Sequence, residues 1–233
     1  MRARFLDLAP DGFEEQETDE GVELAAYGES AMRVIAAFPR ACTEQVEPGW
    51  EERWREFHHG VRVGALWVGP PWETPPADAI AVVIDPGRAF GTGAHPTTRL
   101  CLELLLEQER CGVLDVGCGS GVLAIAAAKL GHADVLAVDV DESAVAATRQ
   151  NAEANGVTLG VQLLDASSGW LPEGELALAN IALHTVEAIG ERLTSSRVVT
   201  SGYLVADRPQ LAGFAHLGRR ELDGWAADLH ERR

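Results

Sequence analysis

The chain has 233 residues, 46% of them hydrophobic and 24% charged, with a formal net charge of −17. That length supports one sizeable core and a small second one, and the acidic balance repels nucleic acid and reads either as attraction for basic partners or, as charge alone favours, as solubility. No apolar run reaches the roughly 18 residues of a membrane helix, the N-terminus lacks a signal peptide's apolar stretch, and the four cysteines form no Cys-x-x-Cys pair, which suits a reducing, cytoplasmic setting over disulfides or zinc.

The first part of the chain has mixed texture. The acidic run Glu14-Glu15-Gln16-Glu17-Thr18-Asp19-Glu20 reads as a solvated loop. Residues 22–27 read as a strand, and residues 30–38 and 50–57 as two short helices. Trp67-Val68 and residues 80–84 look extended. Between them, Pro70-Pro71-Trp72-Glu73-Thr74-Pro75-Pro76 is too stiff for a helix interior. The predicted division is a small N-terminal domain over 1–48, a link over 49–77 and a larger domain over 78–233. Trp50, Trp54, Trp67 and Trp72 suit packing around the link better than base stacking, because their surroundings are acidic.

A glycine-rich loop comes next, Asp85-Pro86-Gly87-Arg88-Ala89-Phe90-Gly91-Thr92-Gly93-Ala94-His95-Pro96-Thr97-Thr98. Pro96 fits the first turn of a helix, with His95 or Thr97 near its cap, and Leu100 and Leu104 give that helix a buried face. A loop of this kind can close over a ligand and exclude water. His95 reads either as a general base or, more commonly at such a position, as a structural hydrogen bond.

From about residue 112, strand and helix patterns alternate as in a parallel α/β sheet. The predicted elements are strand 113–116, helix 121–130, strand 134–139, helix 142–155, strands 161–164 and 175–180, helix 183–193 and strand 197–202. Asn155-Gly156 reads as a helix stop. Asp207-Arg208-Pro209 reads as a helix start, and residues 218–222 and 225–230 as a closing hairpin.

The chemistry concentrates where the first of these strands runs into Asp115-Val116-Gly117-Cys118-Gly119-Ser120-Gly121. Glycines there permit positive φ and close approach of a ligand to the backbone. The next strand ends in Asp139, about 20 residues on, where an acid can hold ribose hydroxyls. The spacing is G-x-G-x-G; Val122 stands where a dinucleotide fingerprint has its third glycine, and no P-loop lysine follows. S-adenosylmethionine carries a ribose without phosphate and a charged methionine end, which Asp115 and bare amides at Gly117 and Gly119 could meet. Asn180 ends the strand Leu176-Ala177-Leu178-Ala179 at the same sheet edge, where its carbonyl could accept a hydrogen bond from an amine and aim the lone pair at a methyl group. Asp165, after the third strand, reads as an acceptor for an adenine amino group or as a loop cap, and Cys118 as packing.

The run Asp-Val-Gly-Cys-Gly-Ser-Gly resembles the first motif of the Rossmann-like methyltransferases. Taken with Phe-Gly-Thr-Gly-x-His-Pro-Thr-Thr, Ala-Val-Asp-Val-Asp and Ala-Asn-Ile, it resembles the ribosomal protein L-eleven methyltransferase family over roughly residues 10–233. The resemblance implies an α/β fold: a doubly wound, mostly parallel Rossmann-like methyltransferase sheet with a small, shortened α+β (ferredoxin-like) N-terminal domain. It implies methyl transfer from S-adenosylmethionine to lysine and N-terminal amines of a basic ribosomal protein, with no direct nucleic acid or membrane partner and no metal. It places Thr98, Gly117, Asp139 and Asn180 around the cofactor, to which the residues themselves add Gly119 and Asp165, with Asn180 as the catalytic group. Two departures stand out. The chain opens inside what would be the family's first helix, and Asn180 is followed by Ile181-Ala182-Leu183-His184 where members more often carry a leucine or tyrosine after the hydrophobic residue. The rival readings are a methyltransferase for another protein or a small amine, a nicotinamide oxidoreductase opposed by Val122, and a cofactor-binding module without activity.

Overall fold

The computed structural model describes residues 4–5, 8–9, 13–18, 21–26, 28–39, 41–43, 58–85 and 93–233. The chain divides into two compact units, Met1–Arg55 and Glu56–Arg233.

In the first unit, β1 (Glu14–Thr18) pairs antiparallel with β2 (Gly21–Ala25), and α1 (Gly28–Ala37) follows. Over Glu14–Thr18 the acidic run is therefore a strand and not the expected loop; Asp19 and Glu20 lie outside the described residues. The strand's ladder joins backbone amides and carbonyls, which a row of carboxylates leaves free to pair. Phe5 is buried, its ring 5.3 Å from Phe13 and 5.6 Å from Phe38. The helix expected over 50–57, with Trp50 and Trp54, lies outside the described residues.

The second unit opens with a three-stranded sheet, β3 (Val61–Val63), β4 (Leu66–Gly69) and β5 (Ile80–Val83), in which β4 pairs antiparallel with β3 and parallel with β5. Trp67 is buried here, and side chains at Gly60 or Gly69 would collide with its ring.

The main sheet has seven strands: β6 (Gly112–Val116), β7 (Ala133–Asp139), β8 (Gly160–Leu163), β9 (Leu176–Asn180), β10 (Arg197–Leu204), β11 (Phe214–Leu222) and β12 (Trp225–Arg232). Their order is β11-β12-β10-β9-β6-β7-β8. The five strands from β10 to β8 are parallel, and β12 is antiparallel to both its neighbours. Four helices accompany them: α2 (Pro96–Leu106), α3 (Val122–Leu130), α4 (Glu142–Ala154) and α5 (Leu183–Gly190). Central β6 and β9 are almost wholly buried, as strands covered on both faces must be. On one face Leu114, Ala177, Ala179 and Val198 pack against Val186 and Ile189 of α5. On the other, Asp115 meets α3 through the Ala124 amide.

The closing hairpin over β11 and β12 is present as expected. The helix start at Asp207 is not. Asp207 instead accepts from the Leu204 amide, 2.9 Å away, and its own carbonyl takes a guanidinium hydrogen bond from Arg219. Its side chain thus serves a turn between β10 and β11, and no helix forms between those strands.

Candidate functional site

The chain runs outward from β6 through β7 to β8, then crosses back to place β9 and β10 on the other side of β6. A reversal of this kind opens a crevice at the carboxyl ends of the strands. Register fixes what stands there. Asp115 lies opposite Leu178, and Val116 opposite Val138. Asn180, Gly117 and Asp139 consequently share one level at the carboxyl edge, on three adjacent strands.

Asn180 caps this arrangement on the β9 side. Its amide Nδ2 donates to the Thr98 hydroxyl at 3.3 Å, and Thr98 is fully buried in the first turn of α2. That turn is fixed by its neighbours. Pro96 occupies the start of the helix, and the His95 ring nitrogen Nδ1 caps the Thr97 amide at 3.4 Å. His95 packs edge-on against Trp225, with ring centroids 4.8 Å apart, and burial pushes its pKa down to about 4. The imidazole is neutral at pH 7 and its ring serves the helix start, the structural of its two readings.

Asp139 caps the β7 side. One carboxylate oxygen accepts from the Gly119 amide at 2.9 Å and the other from the Asp141 amide at 3.0 Å. A carboxylate has about four acceptor positions, so two remain for ligand hydroxyls. The glycine turn itself differs from the expectation of bare amides. The Gly117 and Cys118 amides donate to the Val138 carbonyl, and the Gly121 amide donates to Cys118. With Gly119 bound to Asp139, the turn spends these donors on itself and on β7. The glycines answer to close packing instead. Gly117 has φ +74°, and a side chain there would strike Ile181, the residue after Asn180. Gly121 has φ +85° and lies against Thr148 of α4.

Asp115, expected to face the ligand, is fully buried beneath the turn and accepts from the Ala124 amide at 3.1 Å. Burial pushes its pKa up to about 7, the Ala124 hydrogen bond opposing and the Asp139 charge adding a little. Cys118 is buried and its thiol is raised well above the ordinary range, first by burial and then by the Asp115 charge, so it is no nucleophile. Asp165 is exposed after β8. Its oxygens take the Ser167 amide and hydroxyl and the Ser168 hydroxyl, which hold its pKa down. In this structure it organises its own loop. Residues 86–92, with Phe90, lie outside the described residues.

Two residues that sequence reasoning passed over also reach the glycine turn. Thr148 donates to the Gly119 carbonyl at 3.0 Å, and Asn151 donates to the Ser120 carbonyl at 2.9 Å. The available signal was weak: a threonine and two asparagines at positions 148, 151 and 155, on one face of an otherwise alanine- and charge-rich helix.

Comparison with known proteins gives a consistent picture. The family model described as ribosomal protein L11 methyltransferase (PrmA) matches residues 13–207. The chain is similar to the ribosomal protein L11 methyltransferase of Dechloromonas aromatica, 44% identical over 170 residues, or 71% of this chain and 57% of that protein. It is similar to that of Chromobacterium violaceum, 38% identical over 205 residues, covering 83% of this chain and 68% of the relative. For Laribacter hongkongensis the identity is 42% over 202 residues, covering 81% and 65%. This chain thus spans between 57% and 68% of the length of these three relatives. Among solved structures, the ribosomal protein L11 methylase from Lactobacillus delbrueckii subsp. bulgaricus superposes with a TM-score of 0.67 at 29% identity, covering 75% of this chain and 99% of that one.

Proposed function

The chain belongs to the ribosomal protein L11 methyltransferase family, and from that premise we propose that it transfers methyl groups from S-adenosylmethionine to lysine and N-terminal amines of ribosomal protein L11. The observation that carries this reading is the alignment of Asn180, Gly117 and Asp139 at the sheet's topological switch, with Thr98 bonded to Asn180.

The residues fit the cofactor. Asp139 stands at a strand tip with acceptor capacity left for two ribose hydroxyls. Gly117 and Gly119 are assigned to the turn beside it, Asn180 to the methionine end with the buried Thr98 behind it, and Asp165, whose three loop bonds leave one acceptor position, to the adenine side. When bound, S-adenosylmethionine supplies a methyl group already activated on a sulfonium.

The protein's task is then to orient a neutral amine. A lysine amine has an ordinary pKa near ~10.4, and entry into a desolvated crevice lowers it. The Asn180 carbonyl oxygen accepts an N–H of that amine and turns its lone pair toward the methyl group. Thr98 holds the other end of the Asn180 amide, so this orientation is set before substrate arrives. Positioning of this kind removes up to about 7–11 kcal/mol from a barrier in favourable cases. Residues 1–48 are assigned to substrate docking and 49–77 to the connection, of which β3 and β4 are built into the second unit's three-stranded sheet. No helix among the described residues is long and apolar enough to cross a membrane, and we assign the protein to the cytoplasm.

The test is mass spectrometry of ribosomal proteins incubated with the chain and S-adenosylmethionine. Methylated L11 supports the reading; methylation of a different protein or a small amine alone, or cofactor binding with no methylated product, overturns it. Asn180→Ala should lower kcat about 10–100-fold, the worth of one hydrogen bond to a developing charge, far more than it lowers cofactor affinity. Equal losses in both would remove Asn180 from the catalytic role.

A further inference from the structure

Helix α4 and its C-cap carry three polar residues that are nine-tenths or more buried: Thr148 and Asn151 in the helix and Asn155 at the cap. Buried polar groups need partners, and each of the three bonds to backbone far away in sequence. Asn155 accepts from the Val83 amide at 2.9 Å and donates to the Val83 carbonyl at 2.6 Å, taking the place of a strand beside β5. Asn151 accepts from the Asp85 amide at 3.1 Å and donates to the Ser120 carbonyl. The Thr148 hydroxyl donates to the Gly119 carbonyl at 3.0 Å and lies 3.2 Å from the Cys118 sulfur, so both of its partners belong to the glycine turn. The Thr148 methyl group would lie 2.8 Å from a side-chain carbon at Gly121, so only glycine lets α4 come this close.

Two consecutive carbonyls of the turn are therefore held by one helix. A peptide unit is planar and trans, so pinning the Gly119 carbonyl on Thr148 points the Ser120 amide the opposite way. Likewise, fixing the Ser120 carbonyl on Asn151 sets the Gly121 amide toward Cys118, where it bonds at 2.8 Å. The Gly119 amide, bound to Asp139, lies within the same short stretch. The turn's conformation thus depends on α4 as well as on its own glycines, and through it the position of the Asp139 carboxylate does too.

We infer that Thr148 and Asn151 are positioning residues for the cofactor turn: they clamp the Gly119 and Ser120 carbonyls and so pre-form the surface against which the nucleoside binds. This rests on the cofactor assignment above. Asn155, one turn further along at the cap, shares their burial but reaches only Val83 and the helix's own Asn151 carbonyl. It separates turn positioning from simple docking of the helix.

The experiment is calorimetric titration of the full chain with S-adenosylmethionine, alongside thermal melts and amide hydrogen exchange. Thr148→Val keeps the shape and removes the hydroxyl; Thr148→Ser keeps the hydroxyl. Thr148→Val and Asn151→Leu should each weaken cofactor binding about tenfold, while Thr148→Ser should stay near wild type. Asn155→Ala should lower the melting temperature and leave the affinity unchanged. If Thr148→Val and Asn151→Leu melt lower but bind as wild type does, the clamp is structural only and the inference falls. It falls equally if Asn155→Ala weakens binding as much as they do. Should wild type itself bind no S-adenosylmethionine, the proposed function is what fails, and exchange decides the clamp. Amides 119–121 must then exchange faster in Thr148→Val while those of α3 do not; unchanged exchange overturns it.

Discussion

Two buried titratable groups next to the crevice work against each other as pH changes. Burial disfavours the charged form of Asp115 and pushes its pKa up to about 7 from 3.8. A carboxyl raised in the folded state binds its proton more tightly there, so its contribution is full below the unfolded pKa and is lost as pH rises through about 7. Asp115→Asn keeps an oxygen for the Ala124 amide and removes the titration. Its stability relative to wild type should improve steadily from about pH 4 to 7 and then level off, on the order of 4 kcal/mol in all. Denaturant melts at pH 5 and pH 8 check this, and an equal difference at both values would contradict it. His95 has the opposite sign. Its pKa is pushed down to about 4 by burial, so the unfolded chain takes up a proton first and stability falls as pH drops from 6.5 toward 4. Asparagine is also a strong N-cap and does not titrate there. His95→Asn loses the ring's packing against Trp225 at every pH, so it should melt lower than wild type at pH 8, and that deficit should shrink by pH 5. A deficit unchanged across that window would place the acid sensitivity elsewhere, for example at His230, which burial also lowers to about 4.

At the level of elements, the site depends on how closely the β9–α5 connection approaches two neighbours. Ile181 sits between Gly117 of the glycine turn and Gly202 of β10, and a side chain at either glycine would meet it. The two contacts differ in kind. At Gly117 the obstacle is the end of the Ile181 side chain, whereas at Gly202 (φ +102°) it is the Ile181 backbone. Both Gly117→Ala and Gly202→Ala should lose about 1–3 kcal/mol to backbone strain and crowding. Adding Ile181→Ala should recover part of the loss for Gly117→Ala and none for Gly202→Ala, since only the first clash involves atoms the substitution removes. Urea denaturation of both double variants distinguishes the cases, and equal recovery would show that the crowding is not what these glycines relieve. The same elements show what a sequence can and cannot disclose. The parallel strands were legible because buried strands are continuous apolar runs, and the strand tips followed, bringing Asp139 and Asn180 to one edge. The presence of Gly117 and Gly121 was legible as well, but their reason was not. Ile181 is 64 positions from Gly117, and Thr148 is 27 from Gly121, so neither contact leaves a local pattern. Asp207-Arg208-Pro209 carried a correct local signal for a helix start, overruled by the Leu204 and Arg219 bonds.

For the whole molecule, the governing quantity is charge. A net charge of −17 over 233 residues gives a field that acts before contact is made. If the substrate is a basic ribosomal protein, that field speeds its approach, and salt should weaken it, because the screening length falls from about 10 Å at 0.1 M to about 3 Å at 1 M. Binding of S-adenosylmethionine depends instead on short-range contacts at Asp139 and the glycine turn, and should respond far less. Raising salt from about 50 to 500 mM should therefore increase KM for the protein substrate several-fold, mainly through slower association, while calorimetric affinity for S-adenosylmethionine and kcat at saturation stay nearly constant. A small amine substrate offers the internal control, since it presents one charge and little surface. If KM for the basic protein did not change with salt, the acidity of the chain would serve solubility alone, and recognition would have to come from contacts specific to the partner. If the protein and the small amine responded equally, the salt effect would lie in the crevice and not in the long-range field. Only a selective rise for the protein substrate fits steering by the whole surface.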